Sequence, residues 1–251
     1  MEQLPIVFFD SGLGGISILR CCVRQMPEEN YVYYGDSLHA PYGTKTAAEV
    51  ERLCFEALDP FVRQGAKALV IACNTATSAA IAALRRAYPS LPIIGTEPAL
   101  KPAVERYPHG RIAVMATPMT LREEKFLRLQ AQYGADAEIL SVPCAGLMEF
   151  VERGILDGAE VEAYLEEKLK NCRDCDAIVL GCTHYPFLIG SIRRVIGEAP
   201  EIIDSSEGVT QQLYRRLAEG DLLHGGSGSV VFCSSLPQTE VLAERLFAEK
   251  Y

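Results

Sequence analysis

The feature that most restricts this chain is an alternation that runs almost from end to end. Short apolar runs are followed by Gly-containing or polar turns and then by segments with helical spacing. The runs lie at 5–9 (PIVFF), 31–34 (YVYY), 67–72 (KALVIA), 111–115 (RIAVM), 136–141 (DAEILS) and 176–180 (DAIVL). Each is too short for a helix, and most are rich in β-branched or aromatic residues, so they predict strands. Between them, 46–64, 76–88, 119–132, 158–170 and 186–196 carry apolar residues at helix period. Strands alternating with helices produce parallel sheets covered on both faces, which is a doubly wound α/β fold. The stretch GGSGS at 225–229 is the most flexible in composition, and it precedes a last short strand and helix.

The chain also resembles itself. LVIACNTATSAAIAALRRAYPSLPIIGTEPA (69–99) matches IVLGCTHYPFLIGSIRRVIGEAPEIIDSSEG (178–208) in the order of its features. An apolar strand runs into a small residue, a cysteine and two hydrogen-bonding residues, then a helix carrying Arg-Arg and a second short strand. Cys73 and Cys182 fall at equivalent points. More weakly, IVFFDSG (6–12) matches IAVMATP (112–118). Two similar α/β domains are the simplest account, the first discontinuous at 1–97 plus 208–251 and the second at 98–207. A chain of 251 residues accommodates two small domains.

Composition narrows the partners. The net charge of −9 disfavours nucleic acid and anionic membrane surfaces, which require clustered Lys and Arg. Nine cysteines at scattered spacings do not form a secreted disulfide framework. The beginning, MEQLPIVFFDSG, lacks the basic segment and long apolar run of a signal peptide, and no uncharged stretch reaches bilayer length. These features predict a cytoplasmic protein with reduced thiols, and they leave room for a small anionic substrate, because a local pocket can oppose the global sign.

In open α/β sheets the ligand lies outside the carboxyl ends of the strands. Four turns place polar residues there: Asp10-Ser11, Cys73-Asn74-Thr75, Thr117 and Cys182-Thr183-His184. If the two halves face each other, these turns line one cleft between domains. A cysteine between a strand and a helix start meets backbone N–H groups and a helix dipole, both of which favour thiolate. Two matched thiols suit the inversion of a carbon centre, which needs a base on one face and an acid on the other with exchangeable roles. Asp10 is placed to relay a proton beside Cys73, and His184 beside Cys182. Ser11, Asn74, Thr75, Thr117 and Thr183 are candidate substrate holders that also suit helix capping. Pro41-Tyr42-Gly43 is a turn with backbone N–H groups to offer. Cys21, Cys22, Cys54 and Cys233 read as small core residues.

Taken together, FDSGLGG (9–15), GDSLHAPYG (35–43), ACNTAT (72–77), ATPMT (116–120) and GCTHYP (181–186) resemble the glutamate racemase family, within the wider aspartate/glutamate racemases. The five segments occur in the family's order and span nearly the whole chain. The resemblance implies two α/β domains related by pseudo-twofold symmetry with the active site in the cleft between them. It implies cofactor-independent interconversion of L- and D-glutamate, supplying bacterial peptidoglycan synthesis. Cys73 and Cys182 become the proton donors and acceptors, assisted by Asp10 and His184. Ser11, Tyr42, Gly43, Asn74, Thr75, Thr117, Thr120, Thr183 and His184 become the pocket, with Asp36 and Glu149 near it. No metal is implied, and a homodimer is a candidate assembly.

Three other readings compete. Gly12-x-Gly14-x-x-Ser17 after a strand, with Asp36 ending the next, sketches a dinucleotide fingerprint whose last glycine is missing. Cys172-x-x-Cys175 suggests a metal or redox module, but no second ligand pair with zinc spacing is present and the motif precedes a strand. An amino-acid sensor would use the same cleft without chemistry; exchange of the substrate α-proton with solvent separates it from an enzyme.

Overall fold

The computed structural model describes residues 4–249. The chain divides into two units, one made of residues 4–96 and 206–249, the other of residues 97–205. In chain order the first unit begins with β1 (Ile6–Asp10), α1 (Ile16–Gln25), β2 (Asn30–Gly35), α2 (Ala47–Arg63), β3 (Ala68–Ile71), α3 (Asn74–Ala87) and β4 (Ile93–Gly95). The second contains α4 (Leu100–Arg106), β5 (Arg111–Ala116), α5 (Pro118–Arg122), α6 (Glu124–Tyr133) and β6 (Glu138–Pro143). It continues with α7 (Leu147–Glu152), α8 (Ala159–Leu169), β7 (Ala177–Leu180), α9 (Ile189–Ile196) and β8 (Glu201–Ile203). The chain then returns to the first unit with α10 (Ser206–Glu219), β9 (Ser229–Ser234) and α11 (Glu240–Ala248).

Every strand pairing is parallel, as the alternation predicts. The first sheet runs β4-β3-β1-β2-β9 and the second β6-β5-β7-β8. Within each unit, the first strand lies between the second and third strands, with the fourth outside the third. β1, β3 and β7 are buried along their whole length, which is why they read as unbroken apolar runs without alternation. β9, at the edge, alternates between exposed and half-buried residues at its start.

The predicted helix at 119–132 is two helices. Glu123 has extended backbone (φ −66°, ψ 137°), and its N–H closes α5 onto the Met119 and Thr120 carbonyls. In one continuous helix Leu121 and Phe126, five residues apart, would point well away from each other. With the break, Phe126 is buried in the second unit's core and Leu121 packs against the same cluster. The segment predicted at 186–196 begins as a tighter 3-10 turn, Tyr185–Leu188, with Pro186 in its first turn, before α9.

Candidate active site

In the first unit the winding reverses at β1: the chain passes to β2 on one side, then crosses to β3 on the other. A crevice outside the carboxyl ends of the strands at such a reversal is where sheets of this kind take ligands. Asp10 ends β1 there and Cys73 follows β3. The height of the cysteine is set by main-chain pairing, because the Ala72 N–H donates to the Phe9 carbonyl at 2.8 Å. On β1's other side the Asp36 N–H donates to the Asp10 carbonyl at 2.9 Å.

Asp10 is fully buried, and its Oδ1 accepts the Gly12 N–H at 2.8 Å. It does not cap α1, whose first turn follows Gly15 with no side-chain cap. A Cβ at Gly15 would lie 2.7 Å from the Ala72 Cβ and 3.0 Å from the Asp10 Cβ, so only glycine lets α1 start this close to the strand ends. Ser11 Oγ lies 3.4 Å from Cys73 Sγ, and the Ala76 N–H donates to the same sulfur at 3.5 Å as Cys73 caps α3. Thr75 is buried and Asn74 half-buried at the start of that helix. Thr77 braces the turn, donating to the Ile71 carbonyl and accepting the Thr96 N–H.

Asp36 lies just past β2, where its carboxylate accepts the Tyr42 hydroxyl at 2.6 Å and meets His39 Nδ1 at 2.9 Å. A dinucleotide reading assigns this carboxylate to a ribose; here it fixes the 40–43 turn. Burial and the neighbouring Asp36 carboxylate push the Tyr42 phenol far above its ordinary range, so it acts as a donor. Gly43 is half-buried, with nothing within 4 Å of where a Cβ would project.

The second unit repeats the ladder. The winding reverses at β5, which lies between β6 and β7. The Gly181 N–H donates to the Met115 carbonyl at 2.7 Å, placing Cys182 one residue past the pairing as Cys73 is. The Cys144 N–H donates to the Ala116 carbonyl at 2.9 Å, as Asp36 does to Asp10. Residue by residue, Ala116 therefore stands where Asp10 stands, and Thr117 where Ser11 does. Thr117 caps α5: its Oγ1 accepts the Thr120 N–H at 3.2 Å and lies 3.0 Å from Thr120 Oγ1.

In this unit the buried titratable side chain beside the thiol comes from elsewhere. His184 is buried, with Nδ1 3.6 Å from Cys182 Sγ and Nε2 2.6 Å from Glu152 Oε1. Burial alone would depress its basicity, but the Cys182 sulfur and the Glu152 carboxylate outweigh it, and the imidazole is held well above its ordinary value. Thr183, which separates Cys182 from His184 in the sequence, is buried. The sequence reading missed Glu152. It named Glu149, one turn earlier on α7, whose side chain is exposed and which is not the carboxylate bound to His184.

Three other thiols, Cys22, Cys144 and Cys54, are held protonated. Burial pushes Cys22 up to about 12 despite a hydrogen bond with Thr210, and burial with the nearby Cys182 does the same to Cys144, also to about 12. Burial and the nearby Cys73 push Cys54 higher still. Among the described residues, no group of three or more His, Cys, Asp or Glu side chains could hold a metal ion, and no helix is long and apolar enough to cross a membrane.

The family model described as Asp/Glu/Hydantoin racemase matches residues 13–213. A glutamate racemase of Clostridium perfringens (strain SM101 / Type A) is 52% identical over 224 residues, covering 88% of this chain and 86% of its own. Among solved structures, a glutamate racemase isoform from Bacillus anthracis superposes with a TM-score of 0.86 at 32% identity, covering 100% of this chain and 96% of that one. The glutamate racemase from Francisella tularensis subsp. tularensis SCHU S4, solved in complex with D-glutamate, gives a TM-score of 0.83 at 27% identity, with 100% and 96% covered. Strand order, strand-end cysteines and these matches agree: the chain belongs to the Asp/Glu/Hydantoin racemase family of isomerases, among its glutamate racemases.

Proposed function

We propose that this chain interconverts L- and D-glutamate, with Cys73 and Cys182 as the two acid/base groups. The observation that carries the reading is the shared ladder: each thiol sits one residue beyond a main-chain bond to the strand where its own sheet reverses. Each also has its own polar neighbours, Ser11 and the Ala76 N–H for Cys73, and for Cys182 the His184 imidazole, which is itself bound to Glu152. The substrate comes from the relatives' names and from the D-glutamate complex of one of them.

On this reading the units serve as the two domains expected at 1–97 plus 208–251 and 98–207. One sulfur, as thiolate, takes the α-proton; the other, as thiol, delivers its proton to the opposite face. The reverse reaction exchanges the roles, so proton count and charge balance in either direction. An α-proton beside a carboxylate is weakly acidic, and the developing carbanion needs hydrogen bonds and exclusion of water. Ser11, Asn74, Thr75, Thr117, Thr120, Thr183, Tyr42 and the Gly43 backbone supply the former. Asp10 and His184 relay protons, with Asp36 orienting Tyr42 and Glu152 orienting His184. The enzyme works in the bacterial cytoplasm, makes D-glutamate for peptidoglycan and cell shape, and uses neither cofactor, nucleic acid nor membrane; a homodimer is its candidate assembly.

Incubation of pure L-glutamate in heavy water with no added cofactor tests this. Chiral analysis should show D-glutamate carrying deuterium at the α-carbon, and Cys73→Ala and Cys182→Ala should each abolish it. Racemisation that survives either substitution would remove that thiol from the mechanism.

A further inference from the structure

The Cys172-x-x-Cys175 motif takes no part in racemisation as described above. It lies at the amino end of β7, whereas Cys182 follows the carboxyl end. At roughly 3.3 Å per residue, seven residues of near-extended chain put the two sites on the order of 20 Å apart. The motif forms a tight turn between α8 and β7, in which the Cys175 N–H donates to the Cys172 carbonyl at 3.2 Å. A turn closed in this way holds its end Cα atoms within about 7 Å, which overlaps the range a disulfide spans. Both thiols are free and buried, while the intervening Arg173 and Asp174 are exposed. The pair is thus buried beneath a turn whose middle residues face solvent.

Arg111 pins that turn from the neighbouring strand. Its carbonyl accepts the Asp176 N–H at 2.8 Å, its own N–H donates to Asp176 Oδ2 at 2.8 Å, and its guanidinium pairs with Asp174 and Glu138. The two sulfurs are unequal. The Cys175 thiol supports negative charge on the Cys172 sulfur, burial opposes it, and Arg111 adds to it, so Cys172 is the more acidic. Cys175 is held protonated by the same contact and by burial.

We infer that Cys172 and Cys175 form a reversible dithiol/disulfide couple that exchanges with low-molecular-weight disulfides. The Cys172 thiolate attacks one sulfur of the small disulfide, expelling one thiolate and leaving a mixed disulfide. Cys175 then loses its proton and attacks the Cys172 sulfur, expelling the second. Two protein thiols are oxidised, one small disulfide is reduced, and the two protons leave on two small thiols. Arg173 lies between the cysteines, so local opening of an exposed turn admits the oxidant without unfolding β7.

Trypsin makes the test direct. Cleavage at Lys170, Arg173 and Arg193 separates Cys172 on peptide 171–173 from Cys175 on peptide 174–193, so only a disulfide joins them. The full-length protein is equilibrated over a series of oxidised-to-reduced glutathione ratios, acid-quenched, alkylated and digested. The expected product is the joined pair with Cys182 alkylated, reversed by dithiothreitol, its ratio to dithiol changing tenfold per roughly 30 mV. In Cys175→Ser, glutathione should remain on Cys172; in Cys172→Ser, Cys175 should carry roughly tenfold less. Both cysteines fully alkylated in oxidised glutathione alone would overturn the inference, as would a link to Cys182 or preferential glutathione on Cys175.

Discussion

Glu152→Gln is the substitution that most directly probes the proton relay proposed for His184. The amide keeps the size of the carboxylate and can still accept from His184 Nε2, so the 2.6 Å contact survives while its charge is lost. A hydrogen bond to a charged group contributes about 1.5–3 kcal/mol, against about 0.5–1.5 kcal/mol for a neutral one. Glu152 retains 18% exposure, so solvent takes part of the difference, leaving about 1–2 kcal/mol. That corresponds to a roughly 5- to 30-fold loss in kcat/KM. Because enantiomers have equal free energy, the equilibrium constant is one and kcat/KM must fall by the same factor in both directions.

Stability supplies an independent check. The His184 proton affinity is raised in the folded chain above the ordinary 6.5, so its partners stabilise most below that pH, and the contribution is lost as pH rises through the raised value. Denaturant unfolding should therefore show Glu152→Gln less stable than the parent near neutrality, with the gap closing as pH rises. Circular dichroism across a urea series at several pH values and a coupled assay from each enantiomer measure the two effects. A gap independent of pH, with kcat/KM unchanged, would refute the reasoning.

Three further outcomes are expected. Lys67→Met should cost about 3–5 kcal/mol in chemical denaturation, because it strands the buried Glu29 carboxylate that Lys67 pairs with. Gly15→Ala should cost about 1–3 kcal/mol and lower activity together, since its Cβ presses the Ala72 and Asp10 positions; wild-type values in both measurements would count against that packing argument. Tyr42→Phe should cost about 0.5–1.5 kcal/mol in urea unfolding by removing the donor to Asp36, and an unchanged midpoint would mean the 40–43 turn does not depend on that bond.

The sheets were legible in the sequence because buried parallel strands are uninterrupted apolar runs, and Cys73 and Cys182 because both follow such runs. The ladder explains why the weak match of IVFFDSG with IAVMATP was informative: Phe9 and Met115 accept equivalent bonds. The break at Glu123 was not legible, since Leu121 and Phe126 are each consistent with helix and only the core they share turns the chain between them. Nor was Glu152. On α7 the buried residues are Leu147, Phe150 and Val151, and Glu149 and Glu152 flank that stripe on either side. Periodicity treats the two alike; the partner that distinguishes them, His184, is 32 residues away in sequence.

The ladder carries a consequence for how such a chain can drift. Ala72 and Gly181 donate through peptide groups, which every residue but proline possesses, so the bonds that set each sulfur's height call on no side chain, and only the tight space at these two positions limits what can stand there. Turnover of the apolar layers that keeps these bonds leaves the two sulfurs where they were. What the arrangement cannot survive is a slip of one residue along β3 or β7, which would rotate a neighbour into the cysteine's place and send the thiol to the opposite side of its sheet.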